Sequence, residues 1–166
     1  MKETLENLVG LTLTDPTVPT PSCVIDSTKL RHNIERAKAK AAALHVGWRP
    51  HLKTHKSIDI ARLQMSSPEG PATVSTLAEA RYFAQNGVKD IIYAVGIAPQ
   101  KLSAVAAIRR ETGCDLKIIL DSVEAAKLVS EFCRREGVLI PVLLEIDTDG
   151  HRSGLVPGTP EIVATA

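Results

Sequence analysis

The sequence predicts an α/β fold in which parallel strands alternate with helices. Apolar runs typical of strands recur about every 20–25 residues, with a helical segment between each pair, as parallel βαβ units require. The runs are continuously apolar, as in DIIYAV at 90–95, so both faces of each strand are expected to be buried. The pattern fits the first part of a (β/α)8 barrel of the TIM type or, alternatively, an open doubly wound sheet.

The first half of the chain is predicted from proline content, capping residues and helical periodicity. Three prolines in residues 11–21 favour an extended lead-in, and Asp26 or Ser27 can cap a helix whose apolar residues recur at spacings of three and four. The predicted elements are a lead-in over 1–21, a strand over 22–25, a helix from Asp26 or Ser27, a strand at Trp48–Lys53 and a helix from Ser57 to about Met65.

The second half of the chain repeats the strand–helix unit, with clearer signals for where each helix starts and stops. Thr76 and Glu79 form a capping box, and glycines after the apolar helical segments can adopt the left-handed conformation that ends a helix. The predicted elements are strands at Ala72–Val74, Asp90–Val95, Leu116–Leu120 and Ile140–Ile146, and helices from Thr76 to Asn86, over Gln100–Thr112, from Asp121 to Gly137 and from Thr159.

Composition excludes several classes of function. The 166 residues carry 20 basic and 19 acidic side chains, so the net charge of +1 favours neither nucleic acid nor a membrane surface. Aromatic residues make up only 3%, which argues against stacking platforms for single-stranded nucleic acid. The three cysteines form no CxxC pair, so we expect a reduced, cytoplasmic setting.

The segment at 49–56, Arg-Pro-His-Leu-Lys-Thr-His-Lys, is the best candidate for chemistry. It contains Arg49, Lys53 and Lys56 and no acidic residue. Strand alternation predicts that Arg49, His51 and Lys53 point the same way at the carboxyl end of a strand, where α/β folds place ligand sites. A partly desolvated lysine among cations loses its proton more readily and can attack a carbonyl to form a Schiff base. The alternative is a solvated basic strand end without chemistry.

Other motifs are absent or weak. His51 and His55 are four residues apart, but the strand prediction puts them on no common helical face, so no zinc pair is expected here. The sequence has no GxGxxG after a strand, no GxxxxGK[ST] loop and no GxSxG elbow. The residues alone therefore point to the lysine motif.

Several stretches match a known family in the same order along the chain. They are Thr20-Pro-Ser-Cys-Val-Ile-Asp26, Arg49-Pro-His-Leu-Lys-Thr-His-Lys56, Thr76-Leu-Ala-Glu-Ala80, Asp90-Ile-Ile-Tyr-Ala94, Glu145-Ile-Asp147 and Arg152-Ser-Gly154. With them the chain resembles the D-threonine aldolase and D-serine dehydratase family, within the group whose amino-terminal domain is like that of alanine racemase.

The resemblance implies a fold type III pyridoxal-phosphate enzyme, with residues 22–166 as the amino-terminal part of its barrel. Lys53 would bond the cofactor, and Arg152 would approach the pyridoxal ring from the loop after the fifth strand. Strand alternation, and not the resemblance, would put His51 beneath the ring. The phosphate clamp and a β-rich domain with a divalent metal (zinc or manganese) would belong to later sequence. We expect truncation, because residues 161–166 stop inside a forming helix.

The function implied by the resemblance is a lyase acting on a D-amino acid with a β-hydroxyl, by dehydration or by retro-aldol cleavage. The partner is then a small-molecule D-amino acid, and the enzyme a homodimer. Two alternatives remain open at this point: an amino-acid racemase, which shares the barrel and the lysine, and a non-catalytic pyridoxal-phosphate-binding protein.

Overall fold

The computed structural model describes residues 10–166, which divide into two compact units between residues 37 and 38. In the first unit, residues 10–26 form turns and irregular chain, whereas residues 1–9 of the predicted lead-in lie outside the described residues. The predicted strand over 22–25 is wrong: Val24 is 59% exposed and the segment has no strand partner within residues 10–37. A strand forms only when a neighbour satisfies its backbone groups. The predicted boundary between residues 21 and 22 stays a prediction.

Helix α1 spans Ser27–Ala43 and begins as predicted. The Asp26 carboxylate accepts hydrogen bonds from the backbone N–H groups of Thr28 and Lys29, both at 3.0 Å. These bonds satisfy two of the donors that a helix start leaves without a partner. Near the end of the helix Ala41 is buried, whereas Leu44, predicted on the same face, lies beyond the helix and is 62% exposed.

The second unit is built on a four-stranded, all-parallel sheet. Its strands are β1 (Ala72–Val74), β2 (Asp90–Tyr93), β3 (Asp115–Leu120) and β4 (Val142–Leu144). The helices are α2 (Ile58–Gln64), α3 (Leu77–Gln85), α4 (Leu102–Thr112, after a 3-10 turn at Pro99–Lys101), α5 (Val123–Glu136) and α6 (Pro160–Thr165). None of the helices within residues 10–166 is long and apolar enough to cross a membrane.

The strand order decides between the two predicted architectures. The order is β1-β2-β3-β4, so each strand pairs with its neighbour in sequence and the order never reverses. Right-handed crossovers between sequential neighbours place the helices on one face of the sheet, as in the first part of a (β/α)8 barrel. A doubly wound sheet needs a reversal of strand order, so that alternative is wrong. The helix-facing core contains Val74, Ile91, Tyr93, Leu116 and Ile118, all 1% exposed or less.

Local capping confirms most of the predicted helix boundaries. Ser57 and Thr76 cap α2 and α3 through their side chains, as predicted. For α5 the cap is Ser122 and not Asp121, because the Ser122 hydroxyl accepts the hydrogen bond from the backbone N–H of Ala125. Gly137 ends α5 in the left-handed conformation, at φ 63°.

The segment predicted as a strand at Trp48–Lys53 pairs with β1 at one residue only, His51 opposite Thr73. The backbone N–H of Thr73 donates to the carbonyl of Pro50, and that of Leu52 donates to the carbonyl of Thr73, both at 2.9 Å. Pro50 has no N–H to extend the ladder, and a turn begins at Leu52. The predicted parallel direction is therefore right, and the predicted length of the strand is wrong.

Arg49 lies in an ion-pair network at the amino ends of the strands, not beside Lys53 as predicted. Its guanidinium makes two hydrogen bonds to the Asp90 carboxylate, at 3.1 and 2.7 Å, and Lys117 contacts the same carboxylate at 2.9 Å. Desolvation works to raise the pKa of Asp90, but these two cations hold that pKa below its usual value. The strand register explains why the predicted placement of Arg49 is wrong. Position 49 aligns across the sheet with Asp90, the first residue of β2.

We expect Asp90→Asn to lower the free energy of unfolding by about 1–2 kcal/mol at neutral pH, because Arg49 and Lys117 lose their shared, half-buried anion. The deficit should shrink in acid, since a carboxylate with a lowered pKa contributes stability that disappears as pH falls through that pKa. Urea unfolding across pH measures both effects. Glu131→Gln, at an exposed position of α5, is the control, and equal losses in the two variants would contradict the assignment.

Candidate active site

The Lys53 turn, residues 51–56, lies at the carboxyl end of the segment beside β1. The backbone N–H of Lys56 donates to the carbonyl of Leu52 at 3.0 Å and closes the turn. Lys56 adopts φ 52°, a left-handed conformation that side chains other than glycine rarely take. The Lys53 side chain is exposed, although the sequence predicts partial desolvation. The turn therefore presents this amine at the edge where the strands end.

The two lysines of the turn differ in their partners. Lys56 pairs with the Glu79 carboxylate, at 3.5 Å from Nζ to Oε1. Lys53 makes no ion pair with any residue in 10–166. Of the two, Lys53 is thus the one whose amine is available to a ligand.

His51 is fixed by contacts on both ring nitrogens. Nδ1 accepts a hydrogen bond from the backbone N–H of Lys53 at 3.3 Å, and Nε2 lies 3.2 Å from the Ser75 hydroxyl. An accepting Nδ1 requires the neutral ring with its proton on Nε2. Desolvation, with the positive charge of Lys53 added to it, lowers the pKa of His51 below its usual value of about 6.5, and the Glu79 charge opposes this only in part. His51 is therefore neutral at physiological pH.

A cleft of about 510 Å³ opens at the carboxyl ends of β2, β3 and β4. Four carboxylates and one guanidinium line it: Asp121, Glu145, Asp147, Asp149 and Arg152. Because the carboxyl ends of parallel strands meet at one edge, the cleft and the Lys53 turn lie along the same edge of the sheet. Lys53 itself does not line the cleft.

The loop that carries Arg152 is folded around Asp147. The Asp147 carboxylate accepts hydrogen bonds from the backbone N–H groups of Gly150 at 3.0 Å and Arg152 at 3.3 Å. Desolvation works to raise the pKa of Asp147, but these backbone donors hold that pKa below its usual value. The Arg152 side chain makes no ion pair within the described part of the chain, not even with Asp147 or Asp149 of the same loop.

Gly154 closes this loop by close backbone packing. Its φ is +115°, and a Cβ placed there would lie 2.8 Å from the backbone nitrogen of Asp147 and from the carbonyl oxygen of Glu145. Beside it, the Leu155 N–H donates to the Glu145 carbonyl at 2.8 Å. Only glycine fits this position, which holds Arg152 over the cleft.

Sequence reasoning finds Lys53 and Arg152 but misses two carboxylates of the cleft, Asp121 and Glu145. Each directly follows an apolar strand, and that signal was sufficient to place both at the carboxyl edge. His51 and His55 contact different partners, Ser75 and Gln64. Among residues 10–166 no three His, Cys, Asp or Glu side chains are grouped to hold a metal.

The sequential parallel sheet, with a lysine turn and a cleft at its carboxyl edge, has the layout of the first part of a (β/α)8 barrel with a ligand site at the usual edge. Residues 25–166 match the family described as alanine racemase, N-terminal domain, and the chain belongs to this family. This confirms both the resemblance and the fold predicted from the sequence.

The chain is similar to dehydratases and an aldolase of D-amino acids. It is 45% identical over 149 residues to D-threo-3-hydroxyaspartate dehydratase of Delftia sp. strain HT23, covering 89% of this chain and 39% of that protein. The solved structure of that dehydratase superposes with a TM-score of 0.84, at 45% identity over 90% of this chain and 39% of the other.

Two further relatives carry different substrate names. D-serine dehydratase of Dictyostelium discoideum is 33% identical over 152 residues, covering 83% of this chain and 37% of that protein. D-threonine aldolase of Arthrobacter sp. is 30% identical over 139 residues, covering 83% of this chain and 36% of that protein. The chain thus spans less than two fifths of the length of these relatives.

We expect Gly154→Ala to destabilise the protein by about 2 kcal/mol or more, because the new Cβ meets backbone atoms and the residue loses access to its conformation. Gly150→Ala is the matched control in the same loop: its φ is +70° but no atom lies within 4 Å of the point that a Cβ would occupy, so the cost should be about 1 kcal/mol. Urea unfolding compares the two, and equal losses would show that close packing at Gly154 is unimportant.

We expect the protein to lose stability as pH falls below about 6.5, in part through His51. Its pKa is lowered in the folded state, so the unfolded chain takes up the proton first, and acid then favours unfolding. His51→Gln should remove part of this loss between about pH 7.5 and pH 5.5, whereas His32→Gln, on the exposed side of α1, should retain it. Unfolding free energies at the two pH values provide the measurement; an unchanged loss in His51→Gln would contradict the assignment.

Proposed function

We propose that the protein is a pyridoxal-phosphate-dependent lyase acting on a D-amino acid with a β-hydroxyl group, and that Lys53 bonds the cofactor. The observation that carries this proposal is the position of Lys53, an exposed lysine without an ion pair in residues 10–166, at the carboxyl edge of a parallel sheet. The family, made up of fold type III pyridoxal-phosphate enzymes, supports the choice of cofactor.

The residues at the edge fit such a cofactor. Covalent attachment of an aldehyde needs an accessible amine, which Lys53 offers. His51, two residues earlier and hydrogen-bonded to the Lys53 N–H, is an imidazole that can pack against an aromatic ring. Arg152 lines the nearby cleft without an ion pair inside the described residues and can donate to a ring substituent. When bound, pyridoxal phosphate supplies an electron sink for the substrate α-carbon.

The chain's own residues would then surround the cofactor and carry a proton to or from the substrate. Lys53 would hold or return a proton at Nζ whenever its amine is free. His51 keeps its proton on Nε2, directed at Ser75, so its outer face offers no charge to the site. The carboxylates of the cleft would repel a phosphate dianion because both are negatively charged. This repulsion supports a phosphate-binding site in other loops.

The relatives support a β-hydroxy D-amino acid as the substrate class. All three are named for one: 3-hydroxyaspartate, serine or threonine. The 45% identity to a dehydratase, against 30% to an aldolase, favours loss of water over retro-aldol cleavage. The homodimer, the divalent metal and the cytoplasmic location stay predictions.

We expect Lys53→Arg to abolish product release and the visible absorbance band of the cofactor-bound protein, because that band depends on a covalent bond between the amine and the cofactor aldehyde. Arginine keeps the positive charge but forms no such bond. Lys56→Arg is the matched control: it also keeps the charge and the Glu79 pair, so the band and turnover should remain. Spectra and product assays with D-threo-3-hydroxyaspartate, D-serine and D-threonine provide the readouts.

The outcomes separate the candidates. Release of ammonia and a keto acid without glycine indicates the dehydratase, and glycine release indicates the aldolase. Conversion of D-alanine to L-alanine would instead favour the racemase, and a band without turnover would favour the non-catalytic binding protein. A band that persists in Lys53→Arg would overturn the assignment of Lys53.

A further inference from the structure

We propose that Glu79 is a positioning residue that holds both ends of the Lys53 turn and leaves Lys53, rather than Lys56, as the free amine. This inference rests on the proposed function, since it concerns which lysine meets the cofactor aldehyde. It is carried by the contacts of one buried carboxylate: Oε1 contacts Lys56 at the end of the turn, and Oε2 contacts Ser75, whose hydroxyl lies beside His51 at the start of the turn.

Glu79 lies in the first turn of α3 and is only 7% exposed. Among residues 10–166, the buried polar or charged side chains are Glu79 and Thr165. A carboxylate that is removed from water needs partners for its oxygens. The partners of the two Glu79 oxygens therefore indicate why this side chain is buried.

The first oxygen is linked to the start of the turn through Ser75. Oε2 accepts a hydrogen bond from the backbone N–H of Ser75 at 2.9 Å, whereas the capping box predicts the N–H of Thr76. The Ser75 hydroxyl lies 3.2 Å from His51 Nε2, and His51 Nδ1 accepts from the Lys53 N–H. Glu79 is thus connected to the backbone of Lys53 through two intermediate residues.

The second oxygen holds the end of the turn. Oε1 lies 3.5 Å from Lys56 Nζ, and Lys56 is the residue with the left-handed backbone at φ 52°. A non-glycine residue keeps this conformation only where its surroundings compensate for the strain. The Glu79 pair and the Lys56–Leu52 backbone hydrogen bond supply that compensation.

The consequence is a division of roles between two lysines three positions apart. The Glu79 carboxylate contacts Lys56 Nζ and therefore competes with an aldehyde for this amine. Lys53 has no such anchor in the described chain and lies on a turn whose backbone is fixed on both sides. Glu79 therefore favours one of two chemically equal amines.

The simpler explanation is that Glu79 only caps α3. Glu79→Gln separates the two, because glutamine is also accepted at this position of a capping box and can still accept from Ser75, but it carries no charge to hold Lys56. Glu124→Gln is the matched control: the same substitution in the first turn of α5, at an exposed position.

The test traps pyridoxal 5′-phosphate on the full-length protein with borohydride, and peptide mapping by mass spectrometry gives the ratio of label on Lys56 to label on Lys53. In the wild type and in Glu124→Gln we expect the label on Lys53. In Glu79→Gln the ratio should rise by about threefold or more, the effect of releasing a partly exposed ion pair. Circular dichroism melts check that each variant is folded.

The outcomes distinguish this inference from the proposed function. Wild-type label on a lysine other than Lys53 would overturn the proposed function. Label on Lys53 with the same ratio in Glu79→Gln would overturn the inference alone. If Glu79→Gln does not fold, Ser75→Ala tests the other arm: it should slow labelling of Lys53 about threefold without adding label to Lys56. An unchanged rate there would equally overturn the inference.

Discussion

The pairing of residues 50–52 with β1 is the constraint on which the site depends. Two backbone hydrogen bonds around Thr73 set this segment in register with the sheet. That register sends Arg49 to the amino edge, where Asp90 begins β2, and sends Lys53 to the carboxyl edge. A slip of one residue would turn each side chain to the opposite face. The separation of these two cations is therefore a property of strand pairing and not of the motif alone.

The two edges of the sheet consequently have different electrostatics. At the amino edge the charges are paired, since Asp90 and Asp115 share Lys117 between them. At the carboxyl edge the cleft carries carboxylates and Arg152, with Lys53 on the adjoining turn. Paired charges stabilise a fold, whereas charged groups without partners are available to ligands. The stabilising ion pairs thus lie at the amino ends of the strands and the candidate ligand-binding groups at their carboxyl ends, as is general for this kind of sheet.

The Lys53 turn also shows how one residue can serve local and tertiary structure together. By position, Glu79 belongs to the first turn of α3, where acidic residues are favoured by the helix dipole. By contact, it belongs equally to a turn more than twenty residues earlier, through Lys56. Because Glu79 is buried and contacts both Ser75 and Lys56, it restricts the conformations that the turn can adopt. This restriction limits the conformational entropy lost when a ligand binds at the turn.

Local sequence was enough to predict most helix caps, the strand at Ala72–Val74 and the start of the strand at Asp90, because each depends on neighbours within a few positions. Local sequence also singles out Lys53, whereas Arg152 comes from the family resemblance, and the roles of both stay predictions. The assembled sheet was needed to establish that Pro50 shortens its strand and that Arg49 pairs with Asp90. It was also needed to show that Lys56 is engaged by Glu79. The difference arises because a charge takes its partner from whatever the strand register brings within about 4 Å, and no short stretch of sequence specifies that register.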